Sequence, residues 1–169
     1  MTDIEIIDNH LSDYYCDSIF KAAISKDFPW YYVHNLNDRD YLGNYYFSNC
    51  LIDNFRMRES GSWTPIMMPI MDKLSIPLNR VKRLKINLST RAQFIDRHQP
   101  HYDYHKDSGF ITYLYYANSC NGYTGFPGKG KIKSKKNRLA IFDGSNLHYS
   151  TNCTDANARV TVNFDVVAE

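Results

Sequence analysis

Ten residues near the end of the chain, ARVTVNFDVV at 158–167, restrict the fold more than any other stretch. Side chains of an extended strand alternate between two faces. Arg159, Thr161 and Asn163 therefore share one face, and Val160, Val162, Phe164 and Val166 share the other. Such a strand sits in a sheet whose apolar side packs on a core. Its polar side meets either water or an enclosed cavity. In a cavity Arg159 requires an anion, because an unpaired buried charge is expensive, and its planar fork matches a carboxylate. Thr161 would then add a hydrogen bond to the same anion.

The rest of the second half has the same texture. VKRLKINLS, FITYLYYAN, RLAIFDG and LHYSTN are short alternating or β-branched runs, separated by Gly, Asn and Asp clusters such as NGYTGFPGKGK and DGSN. The first half is partly helical. Ser12 is placed to cap a helix reaching about Lys26, with Tyr15, Cys16, Ile19, Phe20, Ala23 and Ile24 as its apolar stripe. A second helix is expected from Pro65, with Ile66, Met67, Ile70, Met71 and Leu74 inward and Pro69 as its weak point. Between them, DFPWYYVHNL and YLGNYYFSN read as short strands and turns. Helices followed by strands predict an α+β fold, with helices covering one sheet of a β-sandwich or jelly roll. The 169 residues suit a single domain, helical over about 1–79 and β over about 80–169.

Bulk properties exclude several classes. A net charge of +2 does not argue for nucleic acid or an anionic membrane. No apolar run approaches the ~20 residues that span a bilayer, and the first residues lack a signal peptide's basic start. A cytoplasmic chain is the expectation. The four cysteines form no C-x-x-C pair and are expected to be free thiols. The basic run from Lys129 to Arg138 is expected to be a solvated hairpin or edge strand, its lysines discouraging edge pairing.

Three of six histidines lie in HQPHYDYH at 98–105. This is either a polar loop or a source of metal ligands. On a strand His101 and Asp103 point the same way, about 7 Å apart, with Tyr102 directed away. His148, just past the apolar run LAIFD, is the candidate third ligand. Two imidazoles and a carboxylate on one side of a ferrous ion form the facial triad of non-haem iron oxygenases and leave positions open. His98 and His105 read as flanking polar residues. H-x-D alone is a weak signal; the inward Arg159 strengthens it.

His101, Asp103 and His148, followed by Arg159, resemble the Fe(II)/2-oxoglutarate-dependent oxygenase family. FPWYY, RLKINL, YLYYANSCNGYTGF and KKNRLAIFDGSNLHYS extend the likeness over most of the chain. It is similar to the small prolyl 4-hydroxylase-like branch, including compact versions in phage and bacteria. The resemblance implies a double-stranded β-helix (jelly roll, cupin-like) with N-terminal helices on its larger sheet. It implies Fe(II) at His101, Asp103 and His148, with 2-oxoglutarate and O2 as cosubstrates and no catalytic residue beyond the metal centre. Arg159 would hold the distal carboxylate of 2-oxoglutarate, assisted by Tyr115, with Thr161 beside it and Tyr113 a weaker candidate. Asn87 and Asn163 are further inward candidates. Two departures stand out: Arg159 replaces the Lys of collagen-type enzymes, and Arg91 stands where several relatives carry a cosubstrate-binding Tyr. The implied reaction is hydroxylation of a C–H bond, on a peptidyl residue such as proline. The alternatives are a hydroxylase of a free amino acid or other small molecule, and a non-catalytic jelly-roll metal-binding or virion protein. A zinc hydrolase would not need the inward Arg159.

Overall fold

The computed structural model describes residues 4–34, 45–106 and 108–168. Its strands are β1 (Glu5–Asp8), β2 (Tyr31–Val33), β3 (Tyr46–Asp53), β4 (Arg56–Met57), β5 (Val81–Thr90), β6 (Phe110–Tyr116), β7 (Tyr123–Phe126), β8 (Gly130–Lys133), β9 (Arg138–Asp143), β10 (Tyr149–Ser150) and β11 (Ala158–Val167). The α-helices are α1 (Asp13–Ala23), α2 (Thr64–Met67) and α3 (Pro69–Asp72).

β11 lies inside the larger sheet, whose order is β1-β9-β6-β11-β5-β3-β2 with β4 attached to β3. All its named pairings are antiparallel. The alternation of β11 is realised: Val160, Val162, Phe164 and Val166 are fully buried against Ile19, Met67, Ile70 and Met71 from the helical layer. A smaller antiparallel sheet, β10-β7-β8, faces the other side. Isolated bridges Arg97↔Thr151 and His101↔His148 lay residues 97–101 beside it. The result is a jelly roll with helices on its larger sheet.

The helices depart from expectation in instructive ways. α1 stops at Ala23, short of Lys26. The Trp30 indole N–H donates to the Ala23 carbonyl (3.0 Å), taking one of the carbonyls orphaned at a helix end. Only Cys16, Ile19 and Ala23 of the expected stripe are buried; Tyr15 and Ile24 are exposed. Ser12 sits at the N-cap in extended conformation, yet its hydroxyl makes no capping bond. The second helix is two single turns. Met68 N–H still reaches Thr64 O (3.0 Å), but Pro69 has no N–H to continue the ladder, and α3 restarts on it. Met67, Ile70 and Met71 are nonetheless fully buried.

Asn137, at φ 64°, fastens the N-terminal segment to the sheet. Its side chain accepts from Leu11 N–H and donates to Leu11 O, both at 2.8 Å. DFPWYYVHNL contains β2 and YLGNYYFSN the first half of β3, while their residues 35–36 and 41–44 lie outside the described residues. NGYTGFPGKGK is not merely a turn cluster: YTGF and GKIK pair as the β7–β8 hairpin. The hairpin's lysines are exposed, and Ile132 alone of β8 turns inward. Lys135 and Arg138 bond Asp8, and Lys136 pairs with Asp17. All four cysteines are free. No helix among the described residues is long and apolar enough to cross a membrane.

Between the two sheets, Leu114, Tyr116, Phe126, Ile132, Ala140 and Phe142 form a second apolar cluster. The remaining space between the sheets is polar.

Candidate functional site

The inner face of the larger sheet supplies most of that polar lining. Arg83, Lys85, Asn87 and Ser89 alternate along β5, and Arg159, Thr161 and Asn163 along β11. The register sets Arg159 opposite Ser89, Thr161 opposite Asn87, and Asn163 opposite Lys85. With residues of the smaller sheet they enclose a cavity of about 260 Å³.

His101, Asp103 and His148 meet at its wall, their ligand atoms within 4.8 Å of one another. They do not share a strand. His101 and His148 are a reciprocally bonded antiparallel pair (N–H to O, 2.9 and 3.0 Å), and Asp103 lies in the bend that follows. Hydrogen bonds orient both rings. Nδ1 of His148 lies 2.8 Å from Asn146 O, and Nδ1 of His101 lies 3.3 Å from Gln99 O. An Nδ1–H donated to a carbonyl leaves Nε2 as a free lone pair. Those Nε2 atoms stand 3.5 Å (His148) and 3.9 Å (His101) from the Asp103 carboxylate. Burial, and then the neighbouring His148, holds His101 below its ordinary pKa and favours the neutral ring a metal needs.

The Asp103 side chain is buried, which alone would raise its pKa, but the Arg83 charge outweighs burial and lowers it. Arg83 donates from Nη2 to Asp103 Oδ1 (2.7 Å) and from Nε to Asp165 Oδ2 (2.5 Å). Thr112 and Tyr104 hydroxyls also donate to Asp165, at 3.2 Å each. Burial pushes Asp165 up to about 6, against the pull of Arg83.

At the other end Arg159 is buried, 3% exposed, with no carboxylate partner among the described residues. Its donors go to neutral oxygens: Nε to Ser134 Oγ (2.7 Å), Nη1 to Ser150 Oγ (2.7 Å) and Thr151 O (3.4 Å), and Nη2 to Thr124 Oγ1 (3.0 Å). Four of the five N–H groups of a guanidinium are thus engaged. Burial lowers its pKa. Gly122 is required here, since a Cβ would lie 2.5 Å from Asn152 O and 2.7 Å from Arg159 Cδ.

Thr161, Asn87 and Asn163 line the cavity. Tyr115 and Tyr113 do not. They project from the opposite face of β6 into the helical core, where the Tyr115 hydroxyl donates to Asn137 Oδ1 (3.1 Å). Tyr116 is the inward tyrosine: its hydroxyl donates to Thr124 Oγ1 (2.9 Å), and the Arg159 guanidinium lies 5.5 Å from its ring centre. Tyr115 and Tyr113 therefore leave the cosubstrate set. His98 is a second correction. It is buried on the cavity wall, 5.7 Å from the Tyr46 ring, because Pro100 breaks the parity between residues 98 and 101. Burial, then the Arg159 charge, lowers its pKa to about 4. His105 lies outside the cavity, in a surface groove. Sequence reasoning also missed Arg83, Lys85 and Ser89, although β5 carries the same polar alternation as β11.

No protein-family model matches the chain, and no curated protein matches it in sequence. Solved structures do match in shape. A viral collagen prolyl hydroxylase from Paramecium Bursaria Chlorella virus-1, solved as its 2OG complex, superposes with a TM-score of 0.59 at 20% identity, covering 98% of this chain and 96% of that one. The fold is that of the prolyl hydroxylases. A Pseudomonas putida prolyl-4-hydroxylase matches with a TM-score of 0.61 at 10% identity, over 99% of this chain and 94% of its own. A Trichoplax adhaerens prolyl hydroxylase, solved with a hypoxia inducible factor peptide fragment, gives 0.60 at 14% identity, over 97% and 83%.

Proposed function

We propose that this protein is an Fe(II)- and 2-oxoglutarate-dependent dioxygenase that hydroxylates a C–H bond of a peptidyl residue such as proline. One observation carries the reading: a His-Asp-His cluster and a buried guanidinium with no counter-ion among the described residues open on the same cavity. The donor set suits iron, with two oriented Nε2 atoms and a carboxylate kept ionised by Arg83. The uncompensated charge of Arg159 suits the far carboxylate of a diacid.

Bound iron and 2-oxoglutarate would supply the oxidative decarboxylation that drives insertion of oxygen into the substrate. The chain's own residues hold and orient. His101, Asp103 and His148 would bind the metal. Arg83 fixes one carboxylate oxygen of Asp103 by a charge-assisted bond and so limits its rotation. Arg159 has one N–H left to offer, so an arriving carboxylate takes that donor and a neighbouring hydroxyl, Thr161 being the expected one. Leu114 and the apolar cluster behind it keep water from the inner end.

A peptide substrate is favoured over a small molecule by the surface next to the cluster. A groove bounded by Lys82, Tyr102, His105 and Phe110 meets the cavity at His101 and Asp103. Tyr102, 60% exposed, stands between the two. Aerobic incubation with Fe(II), ascorbate, 2-oxoglutarate and proline-containing peptides should release succinate as one oxygen atom is added per peptide. Succinate release no greater than that of Asp103→Ala would defeat the proposal.

A further inference from the structure

The cavity carries more positive charge than a metal centre and one cosubstrate account for. Three cationic side chains line it: Arg83, Lys85 and Arg159. Arg83 is committed to Asp103 and Asp165. Arg159 is the anchor assigned above to the cosubstrate. Lys85 has no carboxylate partner among the described residues. Its Nζ donates to Tyr46 Oη (3.1 Å) and lies 5.1 Å from the Tyr46 ring centre. An ammonium has three N–H donors, and among the described residues this half-buried one is given a single bond, to a neutral phenol.

Position separates Lys85 from the cosubstrate anchor. Arg159 faces Ser89, four residues along β5 from Lys85, which is about 13 Å of strand. Arg83, which touches Asp103, is only two residues away, about 7 Å. Lys85 thus stands towards the metal-ligand end, where a substrate must approach. Asn87, its neighbour on the same face, has a buried Oδ1 with no hydrogen-bond partner among the described residues. A buried acceptor left open beside a cation with no carboxylate partner among the described residues points to a ligand that supplies both a donor and a negative charge.

We propose that Lys85 is a specificity-determining residue: with the Tyr46 hydroxyl it receives a carboxylate carried on, or next to, the residue that is hydroxylated, and the open Asn87 Oδ1 beside them can accept a substrate N–H. The substrate is then acidic at its target position. The inference rests on the oxygenase reading, and its test separates the two.

Protein loaded with Mn(II) and 2-oxoglutarate under nitrogen is titrated calorimetrically with three probes. N-acetyl-L-proline carries the carboxylate on the target residue, N-acetyl-glutamyl-prolinamide carries it on the neighbour, and N-acetyl-alanyl-prolinamide is neutral. At least one acidic probe should bind tenfold or more tightly than the neutral one, and which of them does identifies the carboxylate's source. Lys85→Met should abolish that preference, and Lys85→Glu should reverse it. Equal binding of all three, binding of none, or a preference that survives Lys85→Met overturns the inference. So does a tenfold loss of 2-oxoglutarate affinity in Lys85→Met without any charge preference, which would assign Lys85 to the cosubstrate instead. If wild-type protein fails to bind 2-oxoglutarate at all, the oxygenase reading falls first.

Discussion

Replacing Arg159 by Met separates the anchor from every other part of the site. The guanidinium is buried among neutral oxygens, so its charge has no protein counter-ion among the described residues. A diacid bound at the metal would provide one. Removing one partner of a buried charge pair costs about 2–5 kcal/mol. That corresponds to a loss of 2-oxoglutarate affinity of roughly 30-fold to several thousand-fold. The unliganded protein should change less. Met deletes four hydrogen bonds, each worth about 1 kcal/mol net, but also removes the cost of burying an unpaired cation. Thermal unfolding of Mn(II)-loaded protein with and without 2-oxoglutarate reads both effects. At a hundredfold excess over its dissociation constant the ligand contributes about 2.7 kcal/mol, a rise of roughly 5–10 °C for a chain of this size. Wild type should show that rise, and Arg159→Met should show no more than about 3 °C at the same concentration, because a ligand bound 30-fold more weakly contributes at most about 0.9 kcal/mol. An affinity within threefold of wild type would refute the placement of the cosubstrate against Arg159.

Other consequences follow from particular contacts. Tyr115→Phe should leave 2-oxoglutarate affinity unchanged and cost about 1 kcal/mol of stability through the lost bond to Asn137; a large affinity loss would return Tyr115 to the cavity. Arg83→Met should weaken metal binding about 10–100-fold, as loss of a residue supporting a ligand does, and unchanged Mn(II) affinity by calorimetry would remove Arg83 from that role. His98 is held at about 4 in the folded state against an ordinary 6.5. Between those values the unfolded chain binds the extra proton, so stability is full above pH 6.5 and lost as pH falls towards 4, by about 3 kcal/mol. In urea denaturation His98→Leu should flatten that slope; an unaltered slope would show that His98 is not the group responsible.

How much of this was legible depended on whether the two faces of each strand differ in polarity. β11 segregates Arg159, Thr161 and Asn163 from the valines, and the structure keeps that division. β6 gives no such signal. Leu114 and Tyr116 face the inter-sheet cluster while Tyr113 and Tyr115 face the helical core, so YLYY is apolar on both sides and its parity cannot be read locally. Tyr115 rests on the family resemblance alone, and local parity offers nothing to choose between it and the inward Tyr116. Pro100 hides His98 in the same way, since strand alternation does not carry across it. The convergence of His101, Asp103 and His148 was inferable from residue chemistry. Its geometric origin, a cross-strand His pair followed by a bend, depends on which distant segments lie side by side.

The most direct test of the central claim is an anaerobic titration of the protein with Fe(II) and then 2-oxoglutarate, followed by visible absorption. A charge-transfer band that saturates at one iron and one 2-oxoglutarate per chain, and is missing in His148→Ala, is the predicted result. Absence of the band in wild-type protein that has bound iron would contradict the account.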